Sequence, residues 1–291
     1  MRFEPNMHTA LWGTENWVCS AHHTSPSVIA EGPRAGQKLD QVYPDFPLLM
    51  KVIDAKSRLS VQVHPNETTC KVTGGDPKTE MWCALSDGPI FAGLRPGTAE
   101  AEIKEAVSSG RFEELLVRHD AKRGDVFFIP GGLVHAIGDG VRLYEVQQSS
   151  NTTFRLYDWG RVGADGSARE LHVDKALEAI DLALPVPRPV RELDTPYFRF
   201  TQVDLDGERT FAAAPGGYLC VFGEQTGCVL LADGESETIS AAGEHLMVTE
   251  FKNAIASGKK LKDLVLELSA ADTRLLVEQS SALKKSSRTS S

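Results

Sequence analysis

The apolar residues of this chain come in short runs, several alternating with polar ones, as in strands with one face buried. Such runs cover "LLMKVIDA" (48–55), "LSVQVH" (59–64), "TEMWCAL" (79–85), "PIFAGL" (89–94), "DVFFIP" (125–130) and "VRLYEVQ" (141–147). They are rich in Val, Ile, Phe and Tyr and are bounded by Gly, Pro, Asp and Asn, which predicts strands. Two stretches have helical spacing instead. "TAEAEIKEAVSSGRFEELLVRHDAK" (98–122) predicts a helix with Thr98 as N-cap, a break at Gly110 and a solvated acid-and-lysine face. "ARELHVDKALEAIDLAL" (168–184) places Leu171, Ala176, Leu177 and Ile180 on one stripe. Many short strands with Gly-rich turns and few helices predict a mainly β chain built of barrels or sandwiches.

Four prolines in "PVPRPVRELDTP" (185–196) mark a connector between two units, 1–185 and 196–270. Short strands resume after it, in "YFRFTQVDL", "YLCVFG", "CVLLADG", "ETISAAG" and "LMVTEF". A faint echo between "KRGDVFFIP" and "AAGEHLMVT" suggests two related barrels. The final "SSALKKSSRTSS" (280–291) reads as a disordered polar tail.

Polar residues interrupt this pattern in a few places. In "RLSVQVHPNETTC" (58–70), Ser60, Gln62 and His64 share one strand face where Leu or Ile is the ordinary choice, and Leu59, Val61 and Val63 share the other, left to pack the protein. An amide oxygen and an imidazole nitrogen side by side are competent ligands for zinc or a similar ion. A carboxylate could come from Glu67, close in sequence, or from Glu80 on a later strand. In "GDVFFIPGGLVHAIGDG" (124–140), glycines turn the chain so that His135 points inward from the next strand.

With 291 residues, 41% hydrophobic and 24% charged, the chain has material for a large core. A net charge of −9 argues against nucleic acid or an anionic membrane as the main partner. No apolar run is long enough to span a membrane, and the start lacks the apolar core of a signal peptide. Five cysteines without a C-x-x-C pair suit a reducing compartment, so the cytoplasm is expected.

Gly124, Pro130, Gly132 and His135 form the G-x5-P-x-G-x2-H spacing that resembles the second motif of cupin jelly-roll barrels, with Asp139 in place of the usual Asn. The fold expected is therefore mainly β: two cupin-like jelly-roll β-barrels with a few helices between strands. "LWGTENWVCSAHHTSPS", "LSVQVHP", "KTEMW", "PGGLVHAIG" and "EVQQSSNTTFRLYDWGR", in that order, resemble type I phosphomannose isomerases in their short bacterial form. The resemblance implies one zinc ion per chain, held by Gln62, His64, Glu80 and His135, which selects Glu80 over Glu67. It implies an enediol isomerisation of mannose 6-phosphate and fructose 6-phosphate. Arg155 would act electrostatically, and Glu145 and Lys78 are equal candidates for proton transfer. Ser60, Arg155 and Arg161 are the expected phosphate contacts. Some members carry Tyr where this chain has Ile137, which bears on sugar contact rather than metal binding.

Three other functions compete: isomerisation of unphosphorylated mannose or a related sugar, a non-enzymatic metal- or sugar-binding cupin, and an oxygen-using iron cupin. Gln62 among the ligands suits the last least. His8, His22, His23, His119, His172 and His245 are read as structural, and Arg161 could equally be a surface guanidinium.

Overall fold

The computed structural model describes residues 1–163 and 166–251; the segment expected as a polar tail lies outside them. The first sheet runs β1 (Met7–Ala10), β2 (Gly13–Ser20), β3 (Leu48–Ala55), β10 (Arg142–Gln148), β5 (Glu80–Ala84), β8 (Val126–Ile129). The second runs β11 (Phe154–Tyr157), β4 (Val61–Val63), β9 (His135–Ile137), β6 (Gly88–Leu94), β7 (Leu116–Ala121). The third runs β12 (Leu193–Asp194), β13 (Phe198–Ala212), β16 (Ser236–Phe251), β14 (Tyr218–Gly223), β15 (Gly227–Ala232). The helices are α1 (Leu39–Val42), α2 (Cys70–Thr73), α3 (Glu100–Ser109) and α4 (Val173–Ala179). The described part is mainly β, and none of its helices is long and apolar enough to cross a membrane.

Strand alternation sorts the apolar residues into layers. Ile53, Trp82, Phe127 and Leu143 of the first sheet meet Ile90, Ala92 and Ile137 of the second, filling a barrel interior. The outer face of the second sheet, including Val61, Val63 and Phe154, is covered by Ile103 and Ala106 of α3 and Ala176 and Ala179 of α4. Met50, Met81, Phe128 and Tyr144 line the outer face of the first sheet, packed against Phe198, Phe200, Phe222 and Met247 of the third. β3, β5 and β10 lie between these layers and are buried on both faces over most of their length.

Five local expectations need correction. The stretch 98–122 is helical only through Ser109; a 3-10 turn at Phe112–Leu115 leads into strand β7. There Leu116 and Ala121 bury while Arg118 and Asp120 face solvent, so edge pairing with β6 outweighs helix propensity. Thr98 gives its hydroxyl to the Arg95 carbonyl, and Ala99 is the N-cap. The helix at 168–184 is only Val173–Ala179, with Leu171 exposed; His172 instead donates its backbone N–H to Arg155 O and accepts that of Arg155 on Nδ1. The strands around 197–205 and 237–251 are two long ones, β13 and β16, which shift register between Leu205 and Gly207. Leu59 does not join Val61 and Val63: it precedes β4 and fills the barrel interior beside Trp12.

Candidate metal centre and active site

Backbone pairing explains how distant residues converge. Gln62 on β4 is in direct register with His135 on β9 and with Arg155 on β11, so the three share one sheet face. Glu80 comes from the opposing sheet, paired with Gln147 and Ile129. Gly131 permits a close approach: a Cβ there would lie 2.7 Å from Pro65 O and 2.8 Å from Asn66 Cα. The adjacent Gly132 donates its N–H to His64 O at 2.8 Å, which brings the turn leading to His135 against the strand end carrying His64.

His64, Glu80 and His135 are wholly buried and present ligand atoms within 4.8 Å of one another. His64 Nε2 lies 3.1 Å from His135 Nε2 and 3.5 Å from Glu80 Oε2; His135 Nε2 lies 3.6 Å from Glu80 Oε1. His64 Nδ1 faces Thr152 O and His135 Nδ1 faces Leu133 O, each at 2.8 Å. A carbonyl only accepts, so each Nδ1 carries the hydrogen and each neutral ring turns its Nε2 lone pair inward. Burial and the Lys78 ammonium hold His64 down to about 3, and burial lowers His135 as well. Two inward lone pairs and a carboxylate whose Oε1 has no hydrogen-bond partner form a donor set suited to a divalent ion. Burial opposes the charge of Glu80, but Lys78 and the histidines hold its carboxyl well below the usual range. Lys78 Nζ lies 2.8 Å from Glu80 Oε2 and 3.1 Å from His64 Nε2.

A second charged row adjoins this cluster. Lys51, Glu145, Trp82 and Phe127 are cross-strand neighbours on β3, β10, β5 and β8. Lys51 Nζ lies 3.3 Å from Glu145 Oε1 and 3.4 Å from Glu15 Oε2, above the Trp17 ring. Trp82 Nε1 donates to Glu145 Oε2 at 3.1 Å, and Trp17 Nε1 donates to Glu15 Oε2 at 2.7 Å. Burial and then the charge of Glu80 push the Glu145 carboxyl up, against the pull of Lys51. Lys51 is held high because Glu145 and Glu15 outweigh its burial. Lys51 and Glu15 are not among the expected site residues; Lys51 shares its strand with one other charge, Asp54, and Glu15 lies within the run "LWGTENWVCSAHHTSPS".

The arginines form a third group. Arg155 Nη1 donates to Glu170 O at 2.8 Å, while its Nε is buried without a hydrogen-bond partner. Burial and then the charge of Arg169 weigh against its charged form. Arg161 binds Arg58 O at 2.6 Å and Asp158 Oδ1 at 3.0 Å; Arg169 grips Asp158 at 2.8 and 2.6 Å. Arg169 is absent from the sequence-derived set. Ser60 is buried. Glu67 lies outside the histidine cluster, with Oε1 occupied by Tyr197 and Gln148. His22 is buried beside Thr24, and none of the other five histidines read as structural joins the cluster.

The neutral, buried His64 ties stability to pH. An unfolded chain takes up this proton near 6.5, the folded one not until about 3. The unfolded state therefore binds more protons between these values, and the contribution is fully present above pH 6.5 and lost as pH falls toward 3. Unfolding free energies from urea titrations in chelator should fall through this window by about 1.4 kcal/mol per pH unit for each such proton. A flat profile would mean that the ring is not held neutral.

Residues 2–82 match the model of the phosphomannose isomerase type I catalytic domain. The chain is 39% identical over 185 residues to the mannose-6-phosphate isomerase ManA of Bacillus subtilis, an alignment spanning 58% of each chain. To the mannose-6-phosphate isomerase of Streptococcus mutans it is 32% identical over 214 residues, 62% of this chain and 68% of that one. The crystal structure of the mannose 6-phosphate isomerase from Bacillus subtilis superposes with a TM-score of 0.70 at 25% identity, covering 85% of this chain and 98% of the other. With identity of this level along two thirds of the streptococcal protein, and with that fold around the His64–Glu80–His135 cluster, this chain belongs to the type I phosphomannose isomerase family.

Proposed function

We propose that this chain is a zinc-dependent aldose–ketose isomerase that interconverts mannose 6-phosphate and fructose 6-phosphate in the cytoplasm. The observation that carries this reading is the adjacency of two buried groups on one barrel interior. Glu80 and the histidines form a metal-type donor set, and Glu145 lies on the neighbouring strand with raised proton affinity. Gln62, His64, Glu80 and His135 would hold one zinc ion, which when bound supplies Lewis acidity toward the sugar oxygens. Glu145 takes the proton from C2 and returns it at C1. Lys51 and Trp82 fix its carboxylate, and Lys78, 2.8 Å from Glu80, is the second proton-transfer group.

Arg161 and Arg169 bind Asp158, and Arg155 lies within reach of its charge and that of Glu170, so three guanidiniums face two carboxylates, an excess of positive charge suited to a phosphate or a developing enediolate. Ser60 would add a hydroxyl. The chemistry falls within residues 1–185, and we assign 196–270 a supporting role. Zinc-loaded wild type should equilibrate the two sugar phosphates and exchange the C2 hydrogen with solvent. Turnover of free mannose alone would select the unphosphorylated-sugar reading. Turnover of neither would end the isomerase assignment.

A further inference from the structure

Glu67 is a buried carboxylate outside the metal-type cluster, and the reaction above does not use it. Its Oε2 has no hydrogen-bond partner, so the two donors on Oε1 compensate much of its burial. One is the hydroxyl of Tyr197, which lies between β12 and β13 with its ring packed into the layer shared by the first and third sheets. The other is Gln148 Nε2, at 3.2 Å.

Gln148 passes this contact to the ligand strand. Its Oε1 accepts the N–H of Thr79 at 2.7 Å, and its own backbone N–H donates to Thr79 O at 3.0 Å. Both sides of Thr79 are thereby clamped, and its Oγ1 accepts the N–H of Gly131 at 3.1 Å, on the turn that leads to His135. Thr79 separates Lys78 from Glu80. The amide of Gln148 serves an acceptor at one end and a donor at the other, so only one orientation satisfies both. Glu67 selects that orientation, and Tyr197 holds Glu67.

We propose that Tyr197, contributed by the C-terminal unit, is a positioning residue for the metal centre, acting through Glu67, Gln148 and Thr79 on Lys78 and Glu80. This role rests on the metal-dependent reading of the site and gives the third sheet a part in it. Removing the Tyr197 hydroxyl leaves Glu67 one donor short in a buried place. The carboxylate then turns toward another partner, Gln148 loses its anchor, and the peptide preceding Glu80 is freed.

The test measures zinc affinity by chelator competition in wild type, Tyr197→Phe and Gln148→Met. Both variants should bind zinc about tenfold more weakly, as expected for groups that orient a ligand from outside its coordination shell. Their kcat should fall with KM little changed, and far-ultraviolet circular dichroism should match wild type at the assay temperature. Wild-type zinc affinity in both variants overturns the proposal, and so does a lower melting temperature with zinc affinity unchanged. If Tyr197→Phe does not fold, Gln148→Met decides by the same criterion. Zinc affinity is read without turnover. A wild type that binds zinc but isomerises nothing would sink the assigned reaction and leave the affinity ratio to decide this role.

Discussion

Glu80→Gln is expected to lose zinc under conditions where wild type keeps one ion per chain, with isomerase activity falling in parallel. The substitution preserves shape and volume, so its effect isolates charge. Gln62 and two neutral rings contribute no negative charge, and Glu80 is the only anion among the expected ligands. Its oxygens lie 3.5 and 3.6 Å from the two histidine Nε2 atoms, placed by β5 across the barrel from β4 and β9. Affinity should drop by more than about 100-fold, the upper end of what outer-shell partners cost.

The same change strands Lys78, whose ammonium lies 2.8 Å from Glu80 and is buried. Removing one partner of a buried pair costs about 3–5 kcal/mol, so the metal-free variant should also be less stable. Glu80→Asp keeps the charge on a shorter arm and should fall between the two in both measurements. Equilibrium dialysis against zinc with a competing chelator reads the affinity. Retention of zinc by Glu80→Gln at wild-type affinity would remove Glu80 from the ligand set.

Gln62 is visible in sequence because strand alternation makes a polar residue on an apolar face conspicuous, and His64 follows at the end of the same strand. His135 is visible because the glycines before it are sterically required, Gly131 lying where any Cβ would strike Pro65 and Asn66. Lys51 and Glu15 are hidden for a related reason. β3 is buried on both faces, so its run shows no alternation against which a lysine stands out. Only the register Lys51–Glu145–Trp82 gives the charge its place. Leu59 departs from its expected face because the strand begins at Val61, and alternation has no force before a ladder starts. The β7 segment reads as helix because it continues the charged run that begins at Glu100, and pairing with β6 decides it. The link from Tyr197 to Glu67 spans 130 positions and depends on how the third sheet packs on the first, which no local pattern encodes.

Glu145→Gln should reduce kcat by roughly 10²–10⁴-fold, the usual share of a general base, while zinc content and KM stay near wild type. From sequence, Glu145 and Lys78 stand level for this role, and their surroundings separate them. Lys78 faces Glu80 and His64, within the metal-type cluster itself, so its removal should disturb metal binding along with catalysis. Glu145 stands one cross-strand pair away, held by Lys51 at 3.3 Å and by the Trp82 N–H at 3.1 Å. A glutamine there can still accept from Trp82, so the side chain keeps its position and loses its capacity to take a proton. Burial and Glu80 raise the carboxyl above its ordinary value, against the pull of Lys51, which is the direction a general base requires. Washout of deuterium from C2-labelled substrate reads the step directly. Glu145→Gln should retain the label and Lys78→Met should show weakened zinc binding. Washout at the wild-type rate in Glu145→Gln would transfer the base to Lys78 and leave Glu145 only the role of holding Lys51.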